Sequence, residues 1–224
     1  MDDQLPLLNA AEVRVLGSLI EKQITTPDYY PLSLNALTNA CNQLTNREPV
    51  VAFEDNTVVR AIDGLREKRL ATQYGGETSR VAKYKHTLTD ALLLTPAEVA
   101  LLCVLMLRGP QTVGELRTRT ERLFRFDTLP EVEEALAALA ARQPQPLVVR
   151  LPRQPGTKES RVAHLLSGPI ELPAASPPAP VVAPAAAEPA GVDRLAQIEA
   201  DFAALRRDYD ELRREFADFR RQFE

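Results

Sequence analysis

Apolar residues recur at helical spacing in three stretches of the first 90 residues and in three more between residues 91 and 170. In the first stretch, Val13, Leu16, Leu19 and Ile20 fall on one face of a helix. This spacing predicts helices over residues 10–24, 33–44, 56–69, 96–107, 113–123 and 130–142. Shorter runs predict strands at residues 70–74, 80–87, 147–151 and 160–166. Each half is therefore predicted to contain three helices followed by a hairpin.

The two halves also resemble each other in sequence, which indicates a diverged duplication. Residues 8–16 match residues 94–102, and the segment Ser-Arg-Val-Ala occurs at both 79–82 and 160–163. The first helix of each half is preceded by a polar residue three positions before a glutamate, the pattern of a capping box. The predicted capping boxes are Asn9 with Glu12, Thr95 with Glu98 and Thr112 with Glu115.

Three helices followed by a hairpin is the element order of a winged helix. The predicted fold is mainly α with small β wings (α+β), in two tandem winged-helix domains followed by a Pro/Ala linker and a C-terminal coiled-coil helix. The predicted boundaries are 1–90 and 91–170 for the two copies, 171–192 for the linker and 193–224 for the coiled coil.

Three segments resemble the YceH-like family. They are residues 25–47 (TTPDYYPLSLNALTNACNQLTNR), 107–117 (LRGPQTVGELR) and 148–156 (VVRLPRQPG). The resemblance covers about residues 8–168 and implies paired winged-helix domains in a bacterial protein. It implies no particular activity, and it does not extend to the C-terminal segment.

The C-terminal segment carries a seven-residue apolar repeat. Before it, residues 172–191 contain six prolines among alanines, a composition that predicts a disordered, extended spacer. Flanking charges are opposite in a parallel arrangement, as for Asp201 with Arg206 and Asp208 with Arg213. We expect parallel homo-oligomerisation of unspecified order through Leu195, Ile198, Phe202, Leu205, Tyr209, Leu212, Phe216, Phe219 and Phe223. The alternative is that this helix packs its apolar stripe onto the chain's own winged-helix domains.

The charge of the chain is unevenly distributed. Its formal net charge is -4, with 10 basic and 12 acidic side chains in residues 1–90, 10 and 8 in residues 91–170, and 7 and 11 in residues 171–224. Neither predicted copy has the broad positive excess of a protein that relies on many phosphate contacts. DNA binding would therefore depend on local basic patches.

A winged helix usually places its third helix in the major groove and its hairpin along the DNA backbone. In the first copy this geometry selects Asn46, Arg47, Asn56, Thr57, Arg60, Lys68, Arg80, Lys83 and Lys85 as candidates for DNA contact. Arg60 has the donor geometry to read a guanine edge, and the hairpin cations suit phosphates. Solvated surface charge is the alternative, which Asp63 and Glu67 on the same helix favour.

The charges of the second copy predict a different role from that of the first copy. Its third helix begins with Glu131, Glu133 and Glu134, which stabilise a helix N-terminus but repel a phosphate backbone. A secondary basic patch for phosphates or for an acidic protein surface consists of Arg117, Arg119, Arg122, Arg125, Arg150, Arg153, Lys158 and Arg161.

Residue patterns for catalysis, cofactors or metal binding are missing from the sequence, which predicts a non-enzymatic protein without cofactor. His86 and His164 stand alone without ligand spacing. Glu12 and Glu98 are better explained as capping carboxylates than as a general acid/base pair.

Two distant thiols and short apolar runs favour a cytoplasmic protein without membrane contact. Cys41 and Cys103 form no disulfide framework, and the longest apolar run, residues 99–107, is far below the roughly 20 residues of a membrane span. The acidic N-terminus also lacks the charged and apolar regions of a signal peptide.

Together these patterns predict a homo-oligomeric DNA-associated protein, either a transcriptional regulator or a nucleoid-associated factor. The alternative is a protein-interaction adaptor, similar to the tandem winged-helix subunits of chromosome-condensation complexes, without sequence-specific DNA binding. The predicted partners are a second copy of the chain, together with DNA or another protein.

Overall fold

A computed structural model describes residues 5–74, 81–153, 159–169 and 206–207 of the chain. The chain divides into two compact units, Met1–Ile170 and Glu171–Glu224. In the second unit only Arg206 and Arg207 are described, and both are helical and exposed. The predicted linker and the apolar heptad positions from Leu195 to Phe223 lie outside the described residues, so the parallel coiled coil stays a prediction.

The described part of the first unit is mainly helical with small antiparallel sheets, an α+β fold. Its first half contains α1 (Ala10–Thr25), a 3-10 turn (Pro27–Tyr29), β1 (Leu32–Ser33), α2 (Leu34–Cys41), α3 (Asp55–Glu67), β2 (Ala71–Tyr74) and β3 (Lys83–His86). Its second half contains α4 (Leu88–Leu92), α5 (Pro96–Arg108), α6 (Val113–Arg119), α7 (Leu129–Ala140), β4 (Val148–Arg150) and β5 (Val162–His164).

All six predicted helices are present, although four of them end earlier than the apolar spacing predicts: α3 and α7 by two residues, α2 by three and α6 by four. Helix α2 ends at Cys41 because the side-chain amide of Asn42 donates to the Phe53 carbonyl (2.8 Å) and accepts from the Phe53 N–H (2.8 Å). Helix α6 ends at Arg119, and the Thr120 hydroxyl bonds to the Leu116 carbonyl (2.8 Å). The short elements β1 and α4 were not predicted.

The three predicted capping boxes are confirmed. At α1 the Glu12 N–H donates to Asn9 Oδ1 (3.0 Å), and the Asn9 N–H donates to Glu12 Oε2 (2.8 Å). The same reciprocal pair fixes the starts of α5 and α6. Pro96 is the first residue of α5, where its missing N–H costs no helical hydrogen bond. Local sequence therefore determines where these helices begin.

The strands of the two halves pair in corresponding ways. In the first half the strand order is β1-β3-β2, all antiparallel, with Leu32 opposite Tyr84. In the second half β4 pairs with β5, and an isolated bridge joins Gln111 to Val162. Leu32 and Gln111 each precede the N-cap residue of the following helix. The bridge therefore occupies the place that β1 has in the first half.

Strand register corrects one detail of the predicted duplication. The first residue of β2, Ala71, lies opposite His86, and the first residue of β4, Val148, lies opposite His164. His86 therefore corresponds to His164, which puts the two Ser-Arg-Val-Ala segments three residues out of register with each other. Pairing across the sheet, rather than local identity, sets this correspondence.

The two halves share one hydrophobic core, which is built around α1 and α5. Residues 12–21 and residues 98–107 are buried without interruption. At the crossing, a Cβ on Gly17 would lie 2.9 Å from Leu107 Cδ2, so glycine permits the close approach of the helices. The Glu48 N–H donates to the Leu107 carbonyl (2.9 Å), which adds a backbone bond between the halves.

Candidate nucleic-acid interface

The candidate DNA-contacting residues of the first half lie on α3 and β3. Asn56, Thr57 and Arg60 occupy the first two turns of α3, and Lys83 and Lys85 lie on β3. Asn56, Arg60 and Lys83 are exposed, whereas Thr57 and Lys85 are half-buried. The helix is held from behind by Val58, Ala61, Ile62 and Leu65, which face the core. The apolar spacing of α3 thus fixes which of its residues reach the surface.

Arg47 is buried, contrary to its assignment as a DNA contact. Its side chain is 0% exposed, and its guanidinium binds both carboxylate oxygens of Glu21 on α1 (2.6 and 3.1 Å). It also donates to the Ala40 carbonyl (2.8 and 3.1 Å) and to Gln43 Oε1 (3.2 Å). Arg47 therefore ties the end of α2 to α1 and has no role on an exposed surface.

The partner of Arg47 is held in its charged form. Burial raises the pKa of Glu21, but the hydrogen bonds and charge of Arg47, with a smaller contribution from Lys22, leave this pKa below its ordinary value. Lys22 Nζ lies 3.3 Å from Glu21 Oε2. The pair is thus a buried ion pair at neutral pH.

Lys68 and Asn46 are also engaged within the protein. Lys68 Nζ lies 2.5 Å from Glu12 Oε2, next to the capping box of α1. A Cβ on Gly64 would overlap with the Glu12 carboxylate, so glycine on α3 leaves room for this pair. Asn46 Oδ1 accepts a hydrogen bond from Arg108 of the second half. The Lys68 ammonium and the Asn46 side-chain oxygen are therefore both already bonded within the protein.

Arg60 and Lys83 remain as exposed cations with no hydrogen-bond or ion-pair partner in the described part of the chain. Lys85 Nζ lies 5.9 Å from the ring centroid of Tyr74, a cation–π contact across the hairpin. Arg80 lies outside the described residues. Among the predicted DNA contacts of this half, the available positive charge therefore lies on α3 and on β3.

Carboxylates on α3 oppose that charge. Glu54, Asp55, Asp63 and Glu67 are all exposed. Asp55 accepts a hydrogen bond from the Thr38 hydroxyl (2.6 Å), and Asp63 pairs with Arg66 (3.0 Å). A phosphate backbone that approaches α3 would meet these negative charges beside Arg60.

The secondary basic patch of the second half is largely paired within the protein. Arg117 donates to the carbonyls of Phe126 (3.4 Å) and Asp127 (2.8 Å), and Arg125 lies 3.6 Å from the Asp127 carboxylate. These contacts fold the loop between α6 and α7 onto itself. Their positive charge therefore serves a structural purpose.

The other arginines of that patch divide into paired and unpaired residues. Arg119 and Arg161 share the Glu115 carboxylate, at 3.4 and 2.9 Å. Arg122 and Arg153 have no partner among the described residues, and Lys158 lies outside them. The predicted patch is thus not one continuous surface of available cations.

Helix α7 begins with acidic residues that are used locally. The Glu131 N–H donates to the Thr128 hydroxyl (3.4 Å), and the Glu131 carboxylate accepts from the Asp127 N–H (3.0 Å). Glu133 lies 3.8 Å from Arg150 on β4. The acidic start of α7 therefore neutralises part of the adjacent hairpin, which makes α7 and this hairpin a poor surface for a DNA backbone.

Glu12 and Glu98 carry out the capping role that the sequence predicts, and each also pairs with a cation beyond the third helix of its own half. Lys68 follows α3, and Arg142 Nη1 lies 3.8 Å from Glu98 Oε1 after α7. The equivalent contacts in both halves explain why the two carboxylates recur in the duplication. They require no acid/base chemistry.

The two histidines lie at equivalent positions, where His86 is buried and His164 is half-buried. The ring of His86 is hydrogen-bonded to Gln23 through Nε2, and burial lowers its pKa to about 4 although the charge of Asp90 opposes that shift. Burial also lowers the pKa of His164 to about 4. Within the described residues, the Nδ1 atoms of both rings have no hydrogen-bond partner. Both rings are therefore neutral at pH 7.

The thiols are buried on α2 and α5. Burial raises the pKa of Cys41 and of Cys103, so both remain protonated at neutral pH. In the described part of the chain, no three His, Cys, Asp or Glu side chains converge on a point that could hold a metal ion.

Two charged residues at the junction of the halves were not singled out from sequence. Lys22 and Arg108 occupy equivalent positions near the C-terminal ends of α1 and α5. The match between residues 8–16 and 94–102, continued along the two helices, aligns them. Alignment of the two repeats could therefore have shown that α1 and α5 each carry a cation at the same position near the C-terminal end.

Comparison with known proteins shows close relatives in bacteria. The chain is 55% identical over 205 residues to a "UPF0502 protein" of Opitutus terrae, which covers 92% of this chain and 86% of the relative. It is 62% identical over 165 residues to a "UPF0502 protein" of Geotalea uraniireducens, with 74% of each chain covered. A "UPF0502 protein" of Geotalea daltonii is 58% identical over 176 residues, 79% of this chain and 80% of the relative.

No helix in the described part of the chain is both long enough and apolar enough to cross a membrane.

The predicted membership of a bacterial protein family is confirmed, while its description as YceH-like stays a prediction. A family model matches residues 8–157, which include α1 to α7 and β1 to β4. The chain therefore belongs to the family described as "Protein of unknown function, DUF480".

Proposed function

We propose that this chain is a homo-oligomeric DNA-associated protein, a transcriptional regulator or nucleoid-associated factor, built from two winged-helix copies. The order α1, β1, α2, α3, β2, β3 and the sheet order β1-β3-β2 support a winged helix in the first half. The second half repeats this order, with the Gln111–Val162 bridge in place of β1. Helix α3 is then the third helix and the β2–β3 hairpin is the wing.

The observation that carries this proposal is a pair of exposed cations, Arg60 on α3 and Lys83 on β3, neither of which has a partner among the described residues. In a winged helix these elements meet the major groove and the sugar–phosphate backbone. Arg60 suits a guanine edge or a phosphate, and Asn56 one turn earlier suits an adenine edge. Lys83 and Lys85 suit phosphates.

Such a surface makes few phosphate contacts, so one copy binds DNA weakly. Each phosphate contact contributes about 0.9 to the slope of log affinity against log salt concentration. Two to four contacts would give a shallow salt dependence compared with strongly basic DNA-binding proteins. Linking several copies through the C-terminal segment raises the effective concentration and compensates for the weak individual contact.

We expect the full chain at micromolar concentration to shift random duplex DNA at about 50 mM salt, and less so at about 200 mM salt. Replacing Arg60, Arg80 and Lys83 together by alanine should abolish the shift, because it removes the cations assigned to base and phosphate contact. A gel shift over a series of salt concentrations measures both effects.

The matched control is the triple replacement of Arg125, Arg150 and Arg153 by alanine, which removes the same charge from the exposed surface of the second half. This variant should keep most of its affinity for DNA. An equal loss in both triple variants would show that general charge, rather than the first-half surface, governs binding. The absence of any shift at about 50 mM salt would refute the DNA proposal.

A protein-interaction adaptor is the second candidate function. It is favoured by four exposed carboxylates on and next to α3, Glu54, Asp55, Asp63 and Glu67, which outnumber the three exposed arginines there, Arg60, Arg66 and Arg69. Such a surface suits a partner protein more than a phosphate backbone. A chain that fails to shift DNA but retains its oligomeric state would support the adaptor.

The homo-oligomer is tested separately. Replacing Leu205 and Leu212 by aspartate places charges in the apolar seam of the predicted coiled coil, so we expect the mass from light scattering to fall to that of one chain. The control Arg214→Asp changes charge at an outward heptad position and should leave the mass unchanged. An oligomer that survives the double replacement would assign association to another surface.

A further inference from the structure

A cleft lies between the two halves of the first unit, where α1 and α5 end. It has a volume of about 230 Å³. The first half contributes Lys22, Gln43 and Asn46 to its wall, and the second half contributes Arg108, Arg119 and Arg122. The cleft exists only because the halves are packed together, so neither copy alone forms it.

Positive charge dominates the cleft wall. Four cations, Lys22, Arg108, Arg119 and Arg122, line it together with one carboxylate, that of Glu21. Glu21 is bound by the buried guanidinium of Arg47, at 2.6 and 3.1 Å, and its Oε2 also lies 3.3 Å from Lys22 Nζ. This one carboxylate is therefore shared between Arg47 and Lys22, and the cleft wall keeps a net positive charge.

The cations on the second-half side are incompletely paired. Arg122 has no hydrogen-bond or ion-pair partner among the described residues. Arg119 lies 3.4 Å from Glu115, a carboxylate that also pairs with Arg161 at 2.9 Å. In the part of the chain that the structure describes, the Arg108 side chain donates only to the neutral side-chain oxygen of Asn46.

Arg108 lies close to other positive charges. Burial lowers the pKa of its guanidinium most, and the charge of Arg119 lowers it further; Glu48 opposes this shift, Arg47 adds a smaller lowering and Glu21 a smaller opposition. Like charges held this close destabilise the empty cleft, and an anion between them would remove that repulsion.

We propose that this cleft binds a small phosphorylated molecule, a role independent of the DNA surface proposed for α3 and β3. Guanidinium groups match the oxygens of a phosphate through paired N–H donors, which favours a phosphate over a monovalent anion. The volume suits a small ligand, and a duplex is too wide to enter it. A ligand held by Lys22 from one half and Arg122 from the other stabilises their relative placement.

The experiment uses the full chain and inorganic pyrophosphate as the probe. Thermal unfolding and isothermal titration are measured with pyrophosphate and with sodium chloride at equal ionic strength. At a probe concentration about 100-fold above its dissociation constant, the midpoint of unfolding should rise by about 5–10 °C. Sodium chloride should give no saturable rise.

Arg122→Ala tests the site without disturbing a contact, because Arg122 has no partner in the described structure. It should weaken pyrophosphate binding by about tenfold or more, and Arg119→Ala with Arg122→Ala should weaken it further. The control Arg125→Ala removes a nearby exposed arginine that does not line the cleft, and should change the affinity by less than about twofold.

Three results would overturn the proposal. They are the absence of saturable binding, an equal affinity in the Arg122→Ala chain, and a loss of duplex DNA affinity that parallels the loss of pyrophosphate affinity. The last result would make the cleft part of the DNA surface. The proposal requires that Arg122→Ala leave duplex binding unchanged, so its outcome is separable from that of the Arg60, Arg80 and Lys83 triple variant.

Discussion

Replacing Arg47 by alanine is expected to lower the free energy of unfolding by about 3–5 kcal/mol. The substitution leaves the Glu21 carboxylate, whose side chain is only 12% exposed, without the guanidinium that binds both of its oxygens. It also removes two hydrogen bonds to the Ala40 carbonyl. Of the two cations beside Glu21 in the described structure, only Lys22 would remain, at 3.3 Å from Glu21 Oε2. Removing one partner of a buried ion pair costs far more than the pair itself contributes, which is the reason for the large effect.

Urea unfolding followed by circular dichroism at pH 7 measures this loss. The control Arg66→Ala breaks an exposed ion pair with Asp63, at side-chain exposures of 45% and 55%, and should cost no more than about 1 kcal/mol. Replacing both partners, with Glu21→Leu and Arg47→Met, should recover much of the stability because no buried charge remains. Similar losses for Arg47→Ala and Arg66→Ala would contradict a buried structural role for Arg47.

The starts of the helices could be predicted because their determinants are local. A capping box needs only a polar residue and a glutamate three positions later, and Thr95 with Glu98 forms it as expected. Helix ends depend on more distant contacts. Helix α2 ends before the predicted position because the Asn42 side chain binds the backbone of Phe53, eleven residues further along the chain.

The burial of Arg47 could not be predicted from its neighbours in the sequence. It follows Asn46 in a polar segment, where an arginine is usually solvated. Its burial depends on Glu21, a residue 26 positions earlier that the packing of α1 brings beside it. A periodic pattern indicates which residues face the core, but it does not identify the ion pairs that form across helices.

Charge counts also concealed how the arginines of the second half are used. The sequence pattern predicts one basic patch, yet Arg117 on α6 binds carbonyls of the loop that follows this helix, while Arg119 and Arg161 share Glu115. Net charge does not distinguish a cation that is paired within the protein from one that faces solvent. The cleft between the halves depends on tertiary packing and was therefore beyond the reach of the sequence patterns.

Acidification from pH 7.5 to pH 5 is expected to lower the free energy of unfolding by about 1–2 kcal/mol for each of the two histidines. Burial lowers the pKa of His86 and of His164 from 6.5 to about 4. Between these values the unfolded chain binds protons that the folded chain does not, so stability falls as the pH falls. At pH values well above 6.5 the rings are neutral in both states and the effect disappears.

Urea unfolding at several pH values measures this dependence, and the resonances of the two rings report their pKa values directly. The chain has only two histidines, so the variant with His86→Gln and His164→Gln isolates their contribution. Its stability should vary much less between pH 7.5 and pH 5. Glu21 does not interfere, because its pKa lies below the ordinary value and it stays ionised in this range. An unchanged pH dependence in the double variant would mean that the folded chain accepts protons on these rings as readily as the unfolded chain does.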